Sequence, residues 1–469
     1  ITVGGYGDES NVICNMNGGT ITNNTLVTNA EWTTPVVAKV QGQFNMSGGS
    51  ITNNTGAYGA AFFVNEGTVD ISGGEISGNT ASKYGGAIYI ATSEGTVNMT
   101  GGTIDSNKAG NRGGAIANGG GTVNVSGGTI SNNAANYGGG IAAWADTPKM
   151  TISDNALITG NTAEGPKNDP YGAGGGIYIQ SGTLKVTGGT ISNNTASYGG
   201  GIDTWGTAAT TIEGTALITE NKVTDVDGTG AGIAVHDGIL TLNGGTISKN
   251  RGYSGTGIGI WNNATAVMDG DTRIIENVNI ADADNWAGGA VFVSSATNDG
   301  SKFIMKNGTI ADNTGGPTWC GGICVLGYQK DTVVQIAGGT ISNNTNDNND
   351  DQSILVRGRL VDGTQSEGYL KLSGSPTITG QVLLRTDTSD VVKVDVVDAF
   401  SPTRPVQLSV MDSDWTNKRT IVRYAEGLKA DLAQFVPYKA AKTQAIIKDG
   451  QDLQCMNKVR VIFKDAEGN

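Results

Sequence analysis

The chain has 469 residues, 74 of them glycine and only 9 proline, and carries a net charge of -13 with a single histidine. That charge and the absence of any Lys/Arg cluster exclude nucleic acid as a partner, because a phosphate backbone needs a basic stripe to displace its counterions. It also disfavours an anionic membrane surface, and no apolar run is long enough to insert into a bilayer. Glycine follows no Gly-X-Y period, so a collagen triple helix is excluded.

Nothing at the N-terminus has the pattern of a signal peptide, so Ile1 reads as a trimmed start. From about Gly18 onward the chain repeats itself. The stretch "GGTISNNAANYGGGIAAW" (Gly127 to Trp144) returns almost unchanged as "GGTISNNTASYGGGIDTW" (Gly188 to Trp205). The isoleucine of "GGTI" recurs at Ile21, Ile51, Ile76, Ile104, Ile130, Ile158, Ile191, Ile218, Ile247, Ile274, Ile310, Ile341 and Ile378. Spacing of roughly 25–37 residues is the mark of stacked repeats. Three residues after each isoleucine stands an asparagine, from Asn24 to Asn344, until Gln381 breaks the column.

Each unit holds three short apolar-alternating pieces, exemplified by "GTVNVSG", "GTIS" and "GGGIYI". Period-two alternation marks strands with one buried face, and Gly and Asn punctuate them. No unit can bury its apolar face alone, so the units must coil into a solenoid in which each strand pairs with its copy one rung away. The expected fold is all-β: a right-handed parallel β-helix of about 12–13 three-stranded rungs, handed by the general crossover rule. The asparagines are expected to take left-handed corners and to pass amide hydrogen bonds between rungs. Frequent Asn-x-Thr triplets have the form of glycosylation sequons, but they fall inside the repeat and are read as scaffold.

The pattern in "ISGNTASKYGGAIYI" (Ile76 to Ile90) resembles the repeat of chlamydial polymorphic outer-membrane proteins. It is also similar to β-helix repeat proteins on the surfaces of gut Firmicutes. The resemblance implies an extracellular chain, secreted or attached to the cell wall, and forming part of a longer multidomain surface protein. Such scaffolds carry adhesins and enzymes alike, so function must be argued from a site.

After Gly380 the "GGTI" signature stops. The expected organisation is a β-helix over 1–380, a β-rich cap over 381–458 with a hairpin around Asp449-Gly450, and the start of another module over 459–469. Four cysteines are present. Cys320 and Cys324 are expected to be free, being too far apart on an extended strand to bridge.

The candidate site lies on the third strand of the central rungs. Residues one and three positions after its buried apolar residue point outward. Three positions on, alternate rungs present Trp144, Trp205 and Trp261, and the rungs between present Gln180 and His236. One position on stand Tyr178 and Asp203. With rungs about 4.8 Å apart, these tryptophans are expected on the order of 10 Å apart, close to two sugar units of an extended glycan. Long turns feeding this strand bring Asp225, Asp227, Asp282, Asp284 and Trp286 towards it, and Asp237 lies just past it. The expected function is recognition of a glycan or host surface glycoprotein, adhesin-like, along this Trp/Asp face.

Two other readings stay open. Asp203 paired with Asp225, Asp227 or Asp237, with His236 orienting a carboxylate or sugar hydroxyl, has the make-up of a glycoside hydrolase or polysaccharide lyase. A passive stalk is the third reading, in which the outward tryptophans cover neighbouring loops and the aspartates form turns. No metal or cofactor is expected. The "NDNNDD" run offers Asp347, Asn349 and Asp351 at alternate positions for calcium, but it lacks the glycine and distal glutamate of an EF-hand loop.

Overall fold

A computed structural model describes residues 1–4, 12–26, 36–145, 147–165, 172–281, 288–295, 300–328, 332–361, 364–366, 368–386, 392–410, 419–439 and 444–457. The chain winds into an all-β parallel solenoid of about 13 turns. Its thirteen "GGTI" isoleucines form one continuous register column from Ile21 to Ile378. From Ile51 onward all are buried in the central core. A second column runs from Phe62 through Ile88, Ile116, Ile141, Ile177, Ile202, Ile233, Ile258, Val291 and Ile323 to Ile354. The two columns face each other across the coil, and their burial is the main force closing it.

The rung has three sheets, but they divide the repeat differently from the expectation. The "GTVNV" and "GGTI" pieces share one sheet, and in several rungs form a single bent strand such as Thr122–Ser131. The bend falls at Gly128, whose φ of +77° and whose closeness to Gly102 O leave no room for a Cβ. The strand ending in the Trp column forms the second sheet. A third sheet of nine short strands, from Thr55–Tyr58 to Val278–Asn279, follows the asparagine corner. Its pieces are only two to five residues long, too short to show any periodicity.

The asparagine column behaves as an internal ladder. The Asn161 main-chain N–H and Nδ2 both donate to Asn194 Oδ1, at 2.9 and 3.0 Å. Asn194 Nδ2 donates in turn to Asn221 Oδ1 and to Ile158 O, each at 3.0 Å. The same pattern repeats from Asn24 to Asn344. The left-handed corner, however, is taken by the residue before: Asn53, Asn132, Asn193, Glu220 and Lys249 all have φ between +51 and +57°. The ladder asparagine therefore faces inward, and the corner tolerates several polar residues.

Parallel pairing continues beyond Gly380. Gln381–Thr386, Val406–Val410 and Phe435–Pro437 extend the second sheet rung by rung. An antiparallel hairpin, Gln444–Asp449 with Asp452–Asn457, then pairs with Thr420–Tyr424 across the coil.

One cysteine expectation is overturned. Cys320 and Cys324 are joined by a disulfide, with Cα atoms 6.2 Å apart. Four fully extended residues would span roughly 13 Å, but the chain bends at Gly321-Gly322 before entering the strand Ile323–Leu326. Cys14 and Cys455 are not disulfide-bonded.

Candidate functional site

Along the second sheet, the side chain one position after the buried isoleucine faces outward. Register fixes the column Tyr178, Asp203, Ala234, Gly259, Phe292. The small residues at 234 and 259 let the Thr229-Gly230 corner pack against the sheet, where a Cβ at Gly259 would meet Thr229 Oγ1. A second column, two residues further on, sets Trp205, His236 and Trp261 on successive rungs in direct register. A third wall comes from the corner entering the strand, where Tyr137, Ala173 and Tyr198 are bridged from rung to rung. Between these walls lies a cleft of about 590 Å³, lined by aromatic rings including Tyr137, Tyr198, Trp205, Trp261, Phe292 and Tyr328.

The cleft's polar groups are few and unusual. Asp203 is 1% exposed and His236 is 8% exposed. Gly199 explains the burial of Asp203: its φ is +58°, and a Cβ there would sit 2.6 Å from Asp203 Cβ, so the corner closes directly over the carboxylate. Asp203 Oδ2 lies 3.9 Å from His236 Nε2, too far for a hydrogen bond. Asp203 Oδ1, His236 Nε2 and Trp261 Nε1 are all buried without a hydrogen-bond partner among the described residues.

Burial acts on both titratable groups in the direction of neutrality. It raises the Asp203 carboxyl well above its ordinary range and lowers the His236 imidazole to about 4. Burial therefore works against an ion pair between them. The imidazole is held by aromatic faces, 4.7 Å from the Trp205 ring and 5.5 Å from Tyr198.

The expected site residues divide into three groups. Asp203, Asp227, Trp205, His236 and Trp261 share the cleft. Trp144, Gln180, Tyr178, Asp225 and Asp237 lie outside its lining. Trp144 stacks on its own chain, 6.2 Å from Tyr89 at 12° and 4.9 Å from Tyr84. The Arg112 guanidinium sits 5.0 Å above the same indole. Trp205 and Trp261 also lean against neighbours and are half-buried, so the indoles form walls rather than the upright row that alternation suggests. Gln180 is exposed, and Tyr178 is buried against Tyr137 at 5.4 Å. Asp225 accepts the Asp227 N–H at 2.9 Å, closing its own turn. Asp237 has φ +63° and accepts from Asn262 Nδ2 and Asn263 N at 3.4 and 3.3 Å. Trp286, Asp282 and Asp284 lie outside the described residues.

The acidic run at 346–351 closes on itself. Asn346 Oδ1 accepts the N–H groups of Asn348 and Asp350 at 3.0 and 2.8 Å. Among the described residues no group of three His, Cys, Asp or Glu side chains is placed to hold a metal ion.

Tyr137, Tyr198 and Tyr328 are cleft residues that the sequence argument passed over. A signal for the first two was present: each is the tyrosine before "GGG" in the two near-identical stretches. Comparison with family profiles, curated proteins and solved structures finds no match to this chain.

Proposed function

We propose that this solenoid is an extracellular surface protein that binds a glycan in the cleft between Tyr198, Trp205 and Trp261. The observation that carries the reading is the conjunction of aromatic walls with unpartnered buried polar atoms. Sugar rings present apolar faces for stacking and hydroxyls for hydrogen bonds. A cleft of this kind offers both, and Asp203, His236 and Trp261 Nε1 each stand to gain the hydrogen bond they lack. The Cys320–Cys324 disulfide supports an oxidising, extracellular setting. The test is a screen of immobilised glycans against wild type and Trp205→Ala. Retention of a glycan by the first and its loss from the second at unchanged melting temperature is the expected result.

A second reading has its own support. A buried carboxyl that keeps its proton well above the ordinary range has the property a general acid needs. Asp227 is the other carboxylate lining the cleft. If the protein is a glycoside hydrolase, retained glycans are cut, and Asp203→Asn abolishes release of reducing ends while binding persists.

A further inference from the structure

On the rungs N-terminal to the cleft, the aromatic rings beside the second sheet are covered by the chain's own cations. Lys83 Nζ sits 5.1 Å from the Tyr58 ring centre and donates to its hydroxyl at 2.9 Å. Arg112 lies 5.0 Å over Trp144, 5.7 Å over Tyr178 and 5.8 Å over Tyr137. Such contacts are attractive because the ring face is electron-rich. One rung beyond Tyr178 the outward residue becomes Asp203. From there the aromatic walls continue, but among the described residues no lysine or arginine lines the cleft, and the charged ones that do are Asp203 and Asp227.

We infer that the sugar taken by this cleft carries a protonated primary amine, seated against the Trp205 and Trp261 faces with the Asp203 carboxyl, which releases its proton to solvent as the ammonium arrives, as its counter-charge. The inference rests on the glycan reading above and narrows it to an amino sugar. A neutral sugar would leave the buried carboxyl with nothing but hydroxyls to meet. An anionic one would find no cation lining the cleft among the described residues, in a chain of net charge -13. An ammonium group stacks on the indoles as Arg112 does on Trp144, and it supplies the donor that Asp203 Oδ1 lacks. The imidazole of His236 adds no opposing charge, because burial keeps it neutral.

The test is an array holding each glycan in free-amine and N-acetylated form, beside neutral and uronate-bearing glycans, probed with the intact protein. Retained glycans are expected to be free amines, with N-acetylation of the same glycan weakening binding by about tenfold or more. Asp203→Asn, near-isosteric with the protonated acid, is expected to erase that difference. Retention of neutral, acetylated or uronate glycans with no preference for the amine overturns the inference and leaves the glycan reading standing. Retention of no glycan of any class overturns both. The acetylation comparison needs no variant, so it decides the matter even if Asp203→Asn fails to fold.

Discussion

Trp205 and His236 are register partners on adjacent rungs, with ring centres 4.7 Å apart, and the imidazole they bury lies 3.9 Å from the Asp203 carboxylate. That arrangement ties the stability of the coil to the chemistry of the cleft, because burial there works against charge on both the imidazole and the carboxyl.

The pH dependence of stability follows with its sign. The unfolded chain protonates His236 near 6.5 but the folded chain only near 4, so between these values the unfolded state binds more protons and stability rises with pH. Asp203 acts oppositely. Its folded pKa lies well above the ordinary 3.8, so above that value the folded state holds the extra proton and stability falls as pH rises. In wild type the two slopes oppose each other. Asp203→Asn should leave the histidine slope alone, a rise in stability of about 1.4 kcal/mol per pH unit between about pH 4 and 6.5. His236→Gln should leave the carboxyl slope alone, so that its stability falls as pH rises above the ordinary carboxylate range. Denaturant melts at pH 4.5, 5.5 and 6.5 read both slopes, and parallel curves for the three proteins would contradict the burial argument.

Trp144 and Trp205 should separate in their effects. The Trp144 indole is spent on Tyr84, Tyr89 and Arg112, so Trp144→Ala is expected to cost about 2 kcal/mol of stability and leave glycan affinity intact. Trp205→Ala is expected to cost affinity chiefly. Thermal melts and titrations of both variants check this, and an affinity loss in Trp144→Ala as large as in Trp205→Ala would contradict it.

The asparagine ladder predicts a gradient along the coil. Asn194→Ala strips partners from Asn161, Asn221 and Ile158 at a fully buried site, and a loss of about 3–5 kcal/mol is expected. Asn24 is exposed at the first rung, where water replaces what is lost, so Asn24→Ala should cost under about 1 kcal/mol. Equal melting temperatures for the two variants would remove the ladder from the account of stability.

The disulfide should matter modestly. It closes a loop between residues only four apart, for which chain entropy assigns about 2 kcal/mol. Reduction, or the double change Cys320→Ser with Cys324→Ser, should lower the melting temperature by a few degrees and keep the far-ultraviolet spectrum of the coil. Collapse of the spectrum would show that the bend at Gly321-Gly322 depends on the bridge.

The stacking of the coil was legible because it depends on one-dimensional spacing. Ile21 to Ile378 recur at intervals that only parallel in-register pairing satisfies, and every pair falls where the repeat puts it. Which residues face outward was legible for the same reason. What outward-facing residues do was not, because it depends on neighbours from other rungs. Asp203 reads as an exposed acid in its strand, and it is buried only because Tyr198-Gly199 folds back over it. Trp144 reads as a platform, and it is covered by Tyr84 and Arg112 from the two preceding rungs. Cys320 and Cys324 were misjudged because a local bend, and not strand geometry, sets their separation.

The central claim is that the cleft at Trp205 and Trp261 is where a glycan binds. Its most direct test is calorimetric titration of an array-selected glycan into wild type and Trp205→Ala at matched stability. The account predicts saturable binding by wild type and a loss of at least about tenfold in the variant. Equal affinity in the two proteins would place the ligand elsewhere on the coil and contradict it.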